Sequence, residues 1–227
     1  MTTSLRDDWA EVIASIGALM EYYEMGNRLL SLGTIGYLRR RAARAVGRCR
    51  RMIDLGAGPG YMARAAGCGS NRQCVLMDAV PVGLRKAAGS PLAERVVAMY
   101  EWMPFRDGAF GCAGASFSLR DSWSAGMALL EIRRSLRPGG RLVILDLGKP
   151  DGAVGRFLVG AYWNIISVLL GILMGPLGPL YSKLRLTYAR LPRNGFLLGM
   201  LRGLFGDAYA QELLAGGVII AIATRTN

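Results

Sequence analysis

The chain has no histidine. That removes the commonest general base and the commonest zinc ligand. Proton transfer must then fall to carboxylates, tyrosines, water or the substrate itself. The four cysteines, Cys49, Cys68, Cys74 and Cys112, form no CxxC pair. Neither a zinc site nor a dithiol motif is in prospect, and no metal is expected. Cys68 and Cys74 flank a short loop and can pair. Otherwise the cysteines in or beside strands read as small apolar residues. Acids are scarce, 16 against 28 lysines and arginines, for a net charge of +12. Nearly all the cations are arginine. Such a balance suits an anionic membrane surface or a nucleic acid, or else a solvated surface without a partner. Nucleic-acid readers often interleave aromatics with basic residues. The densest basic cluster, Arg39 to Arg51, has none, which counts against nucleic acid without excluding it. A secretory signal is also missing from the polar start, MTTSLRDDW, and a cytoplasmic protein is expected.

What is present is a core. With 227 residues and 52% hydrophobic composition, one α/β domain can bury a substantial interior. Its organising stretch is Met52 to Tyr61, MIDLGAGPGY. This reads as a buried strand that ends in an acid and enters a glycine loop. A helix over residues 62–66 follows. Such a corner binds nucleotides, because the glycines allow a tight turn and a close ligand approach. The first N–H groups of the helix then favour an anionic group. A dinucleotide fingerprint needs its third glycine at position 61. Tyr61 stands there, so NAD and FAD are not expected. The alternating pattern Asp54, Gly56, Gly58, Gly60 instead looks like the first motif of class I S-adenosylmethionine (SAM) methyltransferases. In that class the acid faces the methionine ammonium group. The bland alternative is an ordinary strand-to-helix turn.

Along the chain, Ser4 caps an expected helix from Leu5 to Met20. Residues 73–77 form a strand closed by Asp78, an acid placed to accept both ribose hydroxyls. Pro81 opens the next helix. Residues 96–99 and 111–117 read as the third and fourth strands. Ser118 to Asp121 lies at the carboxyl end of the latter, where open α/β sheets bind ligands. Ala125 to Leu136 is an amphipathic helix stopped by RPGG, and Arg141 to Leu147 is the fifth strand. Alternating strands and helices predict a parallel, doubly wound sheet. Gly195 to Phe205 is a further helix, and two strands around Gly216 and Gly217 close the chain as a hairpin.

Several segments resemble the ubiquinone/menaquinone biosynthesis C-methyltransferases (UbiE/MenG type). YYEMGNRLLSLGTIGYLRR is similar to that family's N-terminal pattern. EWMPFRDGAF, SFSLRD, LRPGGRLVILDLGKP and LLAGGVIIAI follow in the family's order, over residues 20 to 222. The departures are Met99 near the adenine, Asp121 for asparagine, Gly148 for serine and Ile222 for histidine. The resemblance implies a Rossmann-like, seven-stranded sheet whose last strand is antiparallel, and SAM as cofactor. It places the donor against Asp54, Gly56, Ala57, Gly58, Gly60, Asp78, Ala79, Glu101, Trp102 and Ser116. It implies a polyprenylated quinol precursor, a lipophilic acceptor, held by Asn27 and Tyr162. Tyr23 and Asn27 would orient the ring oxygens. Arg120 would stabilise a phenolate and Asp121 would accept its proton. The plain alternatives are a salt bridge or cap for Arg120 and Asp121, and core packing for Tyr23. Other methyl acceptors, RNA among them, and a non-catalytic SAM-binding membrane protein remain as rival functions.

The run Phe157 to Tyr181 reaches the length of a spanning helix, but Pro176 and Pro179 break it near its end. It also reads as a buried core helix, or as a lid whose apolar face meets a lipidic substrate or the membrane interface. The expected division is one domain, residues 1–227. A helical cap covers 1–48, the SAM-binding core 49–148, the apolar lid 149–204 and the closing hairpin 205–227.

Overall fold

A computed structural model describes residues 22–70, 72–87, 93–173 and 188–226, without the side chains of Tyr23 and Leu173. The expected helix from Leu5 to Met20, and the run beyond residue 173, lie outside the described residues. Two helices open the described chain, α1 (Tyr23–Leu30) and α2 (Ile35–Val46). Then β1 (Arg51–Leu55), α3 (Tyr61–Ala65), β2 (Gln73–Asp78), α4 (Pro81–Lys86) and β3 (Ala93–Val97) alternate. After β4 (Phe110–Ser116) comes a 3-10 turn, Leu119–Asp121. The chain continues with α5 (Ala125–Ser135), β5 (Leu136–Leu147), α6 (Ala153–Leu173) and α7 (Asn194–Phe205). It closes with β6 (Gly206–Leu213) and β7 (Val218–Arg225).

The strands form one seven-stranded sheet in the order β3-β2-β1-β4-β5-β7-β6. Strands β1 to β5 pair in parallel, and β7 runs antiparallel to both β5 and β6. Period-two alternation splits the core between the two faces. Ile53, Val75, Ala113, Ile144 and Ala221 meet α5 and α7 on one face. Met52, Cys74, Cys112, Val143 and Ile220 meet α2 on the other. The apolar stripe of α2 repeats at Ile35, Leu38, Ala42, Ala43 and Val46, the spacing of one helix face.

Four expectations change. The third strand runs Ala93–Val97, not 96–99, because its register is set by pairing Cys74 to Ala93 and Asp78 to Val97. RPGG does more than stop a helix. Leu136 already pairs with Phe110, residues 137–140 bulge out, and pairing resumes between Arg141 and Cys112. The span 149–204 divides, since α7 carries Leu201 and Phe205 into the main core while α6 stands largely outside it. Cysteine pairing is wider than the one loop suggested. Cys68 joins Cys74, and Cys49 joins Cys112, with Cα atoms 5.7 and 6.1 Å apart. The second pair is 63 residues apart in sequence and meets only because β4 lies beside β1.

Candidate active site

The carboxyl ends of the parallel strands gather the chemistry. Asp54, in β1, is buried. Its Oδ2 accepts the Ala63 N–H at 2.8 Å, while Oδ1 has no partner among the described residues. Burial pushes its carboxyl up to about 7, the Ala63 bond and Arg39 oppose that, and Asp78 adds to it. The glycine loop then crosses to β2, where Asp78 Oδ2 accepts the Gly58 N–H and Oδ1 the Val80 N–H, each at 2.7 Å. Burial raises Asp78 as well, against these two bonds. Ala57, buried, donates its N–H to the Met77 carbonyl at 3.0 Å.

The glycines are needed for different reasons. Gly56, with φ +58°, leaves room for the protein. A Cβ there would overlap the Ser118 side chain and come within 2.9 Å of the Tyr100 hydroxyl. Gly58, with φ +47°, leaves room for a ligand, since the nearest atom to a Cβ there is Asp78 Oδ2 at 4.0 Å. Gly60 caps α3 in the left-handed region.

Beyond β3 the expected donor contacts diverge. Glu101 is buried and its Oε1 accepts the Ser124 N–H at 2.8 Å, fastening this loop to the start of α5. Trp102 is exposed, its ring centroid 5.4 Å from that of Trp123. Ala79 is half-buried beside Asp78. Ser116, at the end of β4, has a buried hydroxyl without a partner among the described residues.

Of the residues that the resemblance assigns to the acceptor, Arg120 and Asp121 sit in the 3-10 turn after β4. Arg120 Nη1 is ion-paired with Asp146 Oδ1, and Arg120 Nε lies 3.8 Å from Asp121 Oδ1. Burial pushes Asp121 up to about 6. Arg120 opposes this, and the charges of Asp146 and Asp78 add to it. Asn27, on α1, has a buried Nδ2 without a partner among the described residues. The Tyr162 hydroxyl donates to the Leu30 carbonyl at 2.6 Å, tying α6 to α1. Tyr23 begins α1, but its side chain lies outside the described residues.

Two residues that touch these groups were not singled out by the sequence. Asp146, on β5, stands beside Arg120 only because β5 pairs with β4. Tyr100 is buried with its hydroxyl 2.7 Å from Ser118 Oγ, which itself donates to the Leu55 carbonyl at 2.9 Å. That chain of bonds locks β1, β4 and the loop after β3 together. The acid of LVILDL was visible as a residue type, whereas nothing in the spacing singled out Tyr100.

A family model for the methyltransferase domain matches residues 53–144. A demethylmenaquinone methyltransferase of Clavibacter sepedonicus is 30% identical over 97% of this chain and 92% of its own. Another, from Mycolicibacterium vanbaalenii, is 32% identical over 65% of this chain and 64% of its own. The chain belongs to the demethylmenaquinone methyltransferase family. It is accordingly a SAM-dependent methyltransferase, with SAM as methyl donor.

Solved structures carry the same fold as this family member. A SAM-dependent methyltransferase of Thermotoga maritima superposes with a TM-score of 0.66 over 93% of this chain and 98% of its own, at 14% identity. A methyltransferase solved with the Haloferax volcanii Trm112 activator gives 0.63 over 93% and 97%, also at 14% identity. The residues fit SAM. Asp54 offers a buried acceptor with no partner among the described residues, Gly58 keeps an open approach, and the carboxylates of Asp54 and Asp78 are near enough for their charges to interact. Two neighbouring acids at the strand ends favour a cationic donor.

Proposed function

We propose that this methyltransferase moves a methyl group from SAM to a ring carbon of a lipophilic quinol, a polyprenylated precursor of the demethylmenaquinol kind. Asp54 would hold the ammonium group, Asp78 the ribose hydroxyls, and the Gly58 backbone would admit the donor closely. SAM supplies an electrophilic methyl on a sulfonium. The protein has then to orient the acceptor carbon, for which alignment of reactants is worth roughly 7–11 kcal/mol, and to take up the phenol proton as that carbon is methylated. The proton displaced from the methylated carbon then moves to the ring oxygen and restores the aromatic quinol.

The observation that carries the reading is Asp121. Its carboxyl stands at the carboxyl end of the sheet with a pKa of about 6, so it can take a phenolic proton near neutral pH. Arg120, anchored by Asp146, supplies positive charge beside the developing phenolate. By the family pattern, Tyr23 and Asn27 would orient the ring oxygens. Tyr162, held by its bond to Leu30, would contact the acceptor. A lipophilic acceptor also accounts for α6, whose face at Phe157, Leu158, Ile165, Val168 and Ile172 is exposed. We place this face on an anionic bilayer surface as a peripheral contact.

The test is single-turnover methylation of a short-chain demethylmenaquinol, with SAM binding measured separately. Asparagine is the family's residue at this position, so Asp121→Asn should keep turnover if Asp121 only positions the acceptor, and should slow it by about 10²–10⁴-fold with SAM affinity nearly unchanged if Asp121 is the base. The wild-type rate should rise through a pKa near 6. A wild-type rate in Asp121→Asn would remove Asp121 as the base.

A further inference from the structure

Helix α2 turns one cation into its own apolar stripe. Arg39 is 5% exposed and shares the buried face with Ile35, Leu38 and Ala42, while Arg40 and Arg44 face solvent. A charge buried this deeply needs partners. Nη1 has one, Glu24 Oε2 at 2.7 Å. The guanidinium lies 4.4 Å from the centre of the Tyr61 ring, and Arg64 approaches the same ring at 4.9 Å. Arg39 Nε, however, is buried with no partner among the described residues.

Asp54 presents the complementary case. Its Oδ1 is a buried acceptor with no partner among the described residues, and its carboxyl feels the Arg39 charge. Both groups are braced on one turn of α3, Arg39 on the Tyr61 ring and Asp54 on the Ala63 N–H. An unfilled donor on a buried cation and an unfilled acceptor on a buried acid are thus held against the same helix, near enough for one charge to act on the other. That is the complement of a zwitterionic amino-acid group, in which ammonium and carboxylate share one carbon.

We propose that Arg39 binds the α-carboxylate of the methionine part of SAM, opposite Asp54 and its ammonium. Tyr61 then has a reason of its own. Where a dinucleotide fold would have a glycine, the ring is a platform that holds Arg39 against the donor site. Glu24 completes the arrangement by linking α1 to the donor through the same guanidinium.

The inference rests on the SAM site assigned above, and the test separates the two. Isothermal titration would compare SAM with decarboxylated SAM, which keeps the sulfonium and the amine but lacks the carboxylate. Wild type should prefer SAM. Arg39→Gln should lose about 10–100-fold in SAM affinity, the range of a charge-assisted hydrogen bond, while binding decarboxylated SAM as wild type does. Equal loss for both ligands would reduce Arg39 to a brace for α2 and overturn the proposal. So would a wild type indifferent to the carboxylate. Failure of wild type to bind either ligand would instead overturn the SAM site itself. Should Arg39→Gln not fold, Arg39→Lys keeps the buried charge without the planar fork. It should narrow the preference for SAM over the decarboxylated ligand, and an unchanged preference would overturn the proposal.

Discussion

At the scale of single residues, two glycines of one loop should fail in opposite ways. Gly58→Val places a side chain in open space beside Asp78, so titration should show SAM binding lost. A cooperative urea transition should survive, reduced by the roughly 1–2 kcal/mol of a left-handed L residue. Gly56→Ala meets Ser118 and Tyr100 instead. Its cost should appear as stability, with overpacking adding about 1–3 kcal/mol to the same strain. Asp54 adds a pH dependence. Burial raises its folded-state pKa to about 7, so below that pH the free protein holds a proton that the incoming ammonium must displace. SAM affinity should therefore climb by up to about tenfold per pH unit between pH 5 and 7, then level off. Asp54→Asn should flatten that rise, and a flat wild-type profile would separate Asp54 from the ammonium. Residue types such as Asp54, Asp78 and Arg120 were legible in the sequence because each sits next to a strand end or a glycine. The ion pair of Arg120 with Asp146 was not, since the two are 26 residues apart and meet through strand pairing.

At the scale of elements, α6 is the least settled into the molecule. Its apolar window, Ala153–Ile172, is only 22% buried. Among the described residues it is held by one small cluster, Val159 and Trp163 against Tyr188, Leu30 and Leu147, with the Tyr162 bond to Leu30 and the bond from the Tyr188 hydroxyl to the Arg156 carbonyl. Leu147 adjoins Asp146, so α6 roots at the carboxyl end of β5. An interfacial helix buries its apolar face in the bilayer without crossing it. Replacing Phe157, Ile165 and Ile172 together by glutamine should abolish flotation with anionic vesicles and spare SAM binding. Wild-type flotation that resists high salt and alkaline extraction would mean that α6 spans the bilayer. The length and apolarity of this helix were plain from sequence. Its outward face was not, because a run apolar on all sides carries no periodicity to say which side is buried.

At the scale of the whole molecule, the charge and the apolar helix lie apart. Arg48, Arg50 and Arg51 are exposed just before or at the amino end of β1. Helix α6 leaves from the opposite, carboxyl end, with exposed Arg28, Arg190 and Arg193 on segments nearer to it. One flat membrane cannot take both poles. Reversing Arg48, Arg50 and Arg51 to glutamate should leave vesicle binding nearly intact. Reversing Arg28, Arg190 and Arg193 should weaken it and make what remains less sensitive to salt. Equal effects from the two sets would deny the polarity. By itself the sequence determined the αβα alternation, the donor corner at residues 52–61 and the closing hairpin, because strand period, glycine conformation and helix stops act over a few residues. The tertiary structure decided which groups share a site. It brought Arg39 under Tyr61, Asp146 to Arg120, Tyr100 to Ser118 and Cys49 to Cys112. Each of those meetings depends on the order of strands in the sheet and on which face of α2 is buried, and long-range packing sets both.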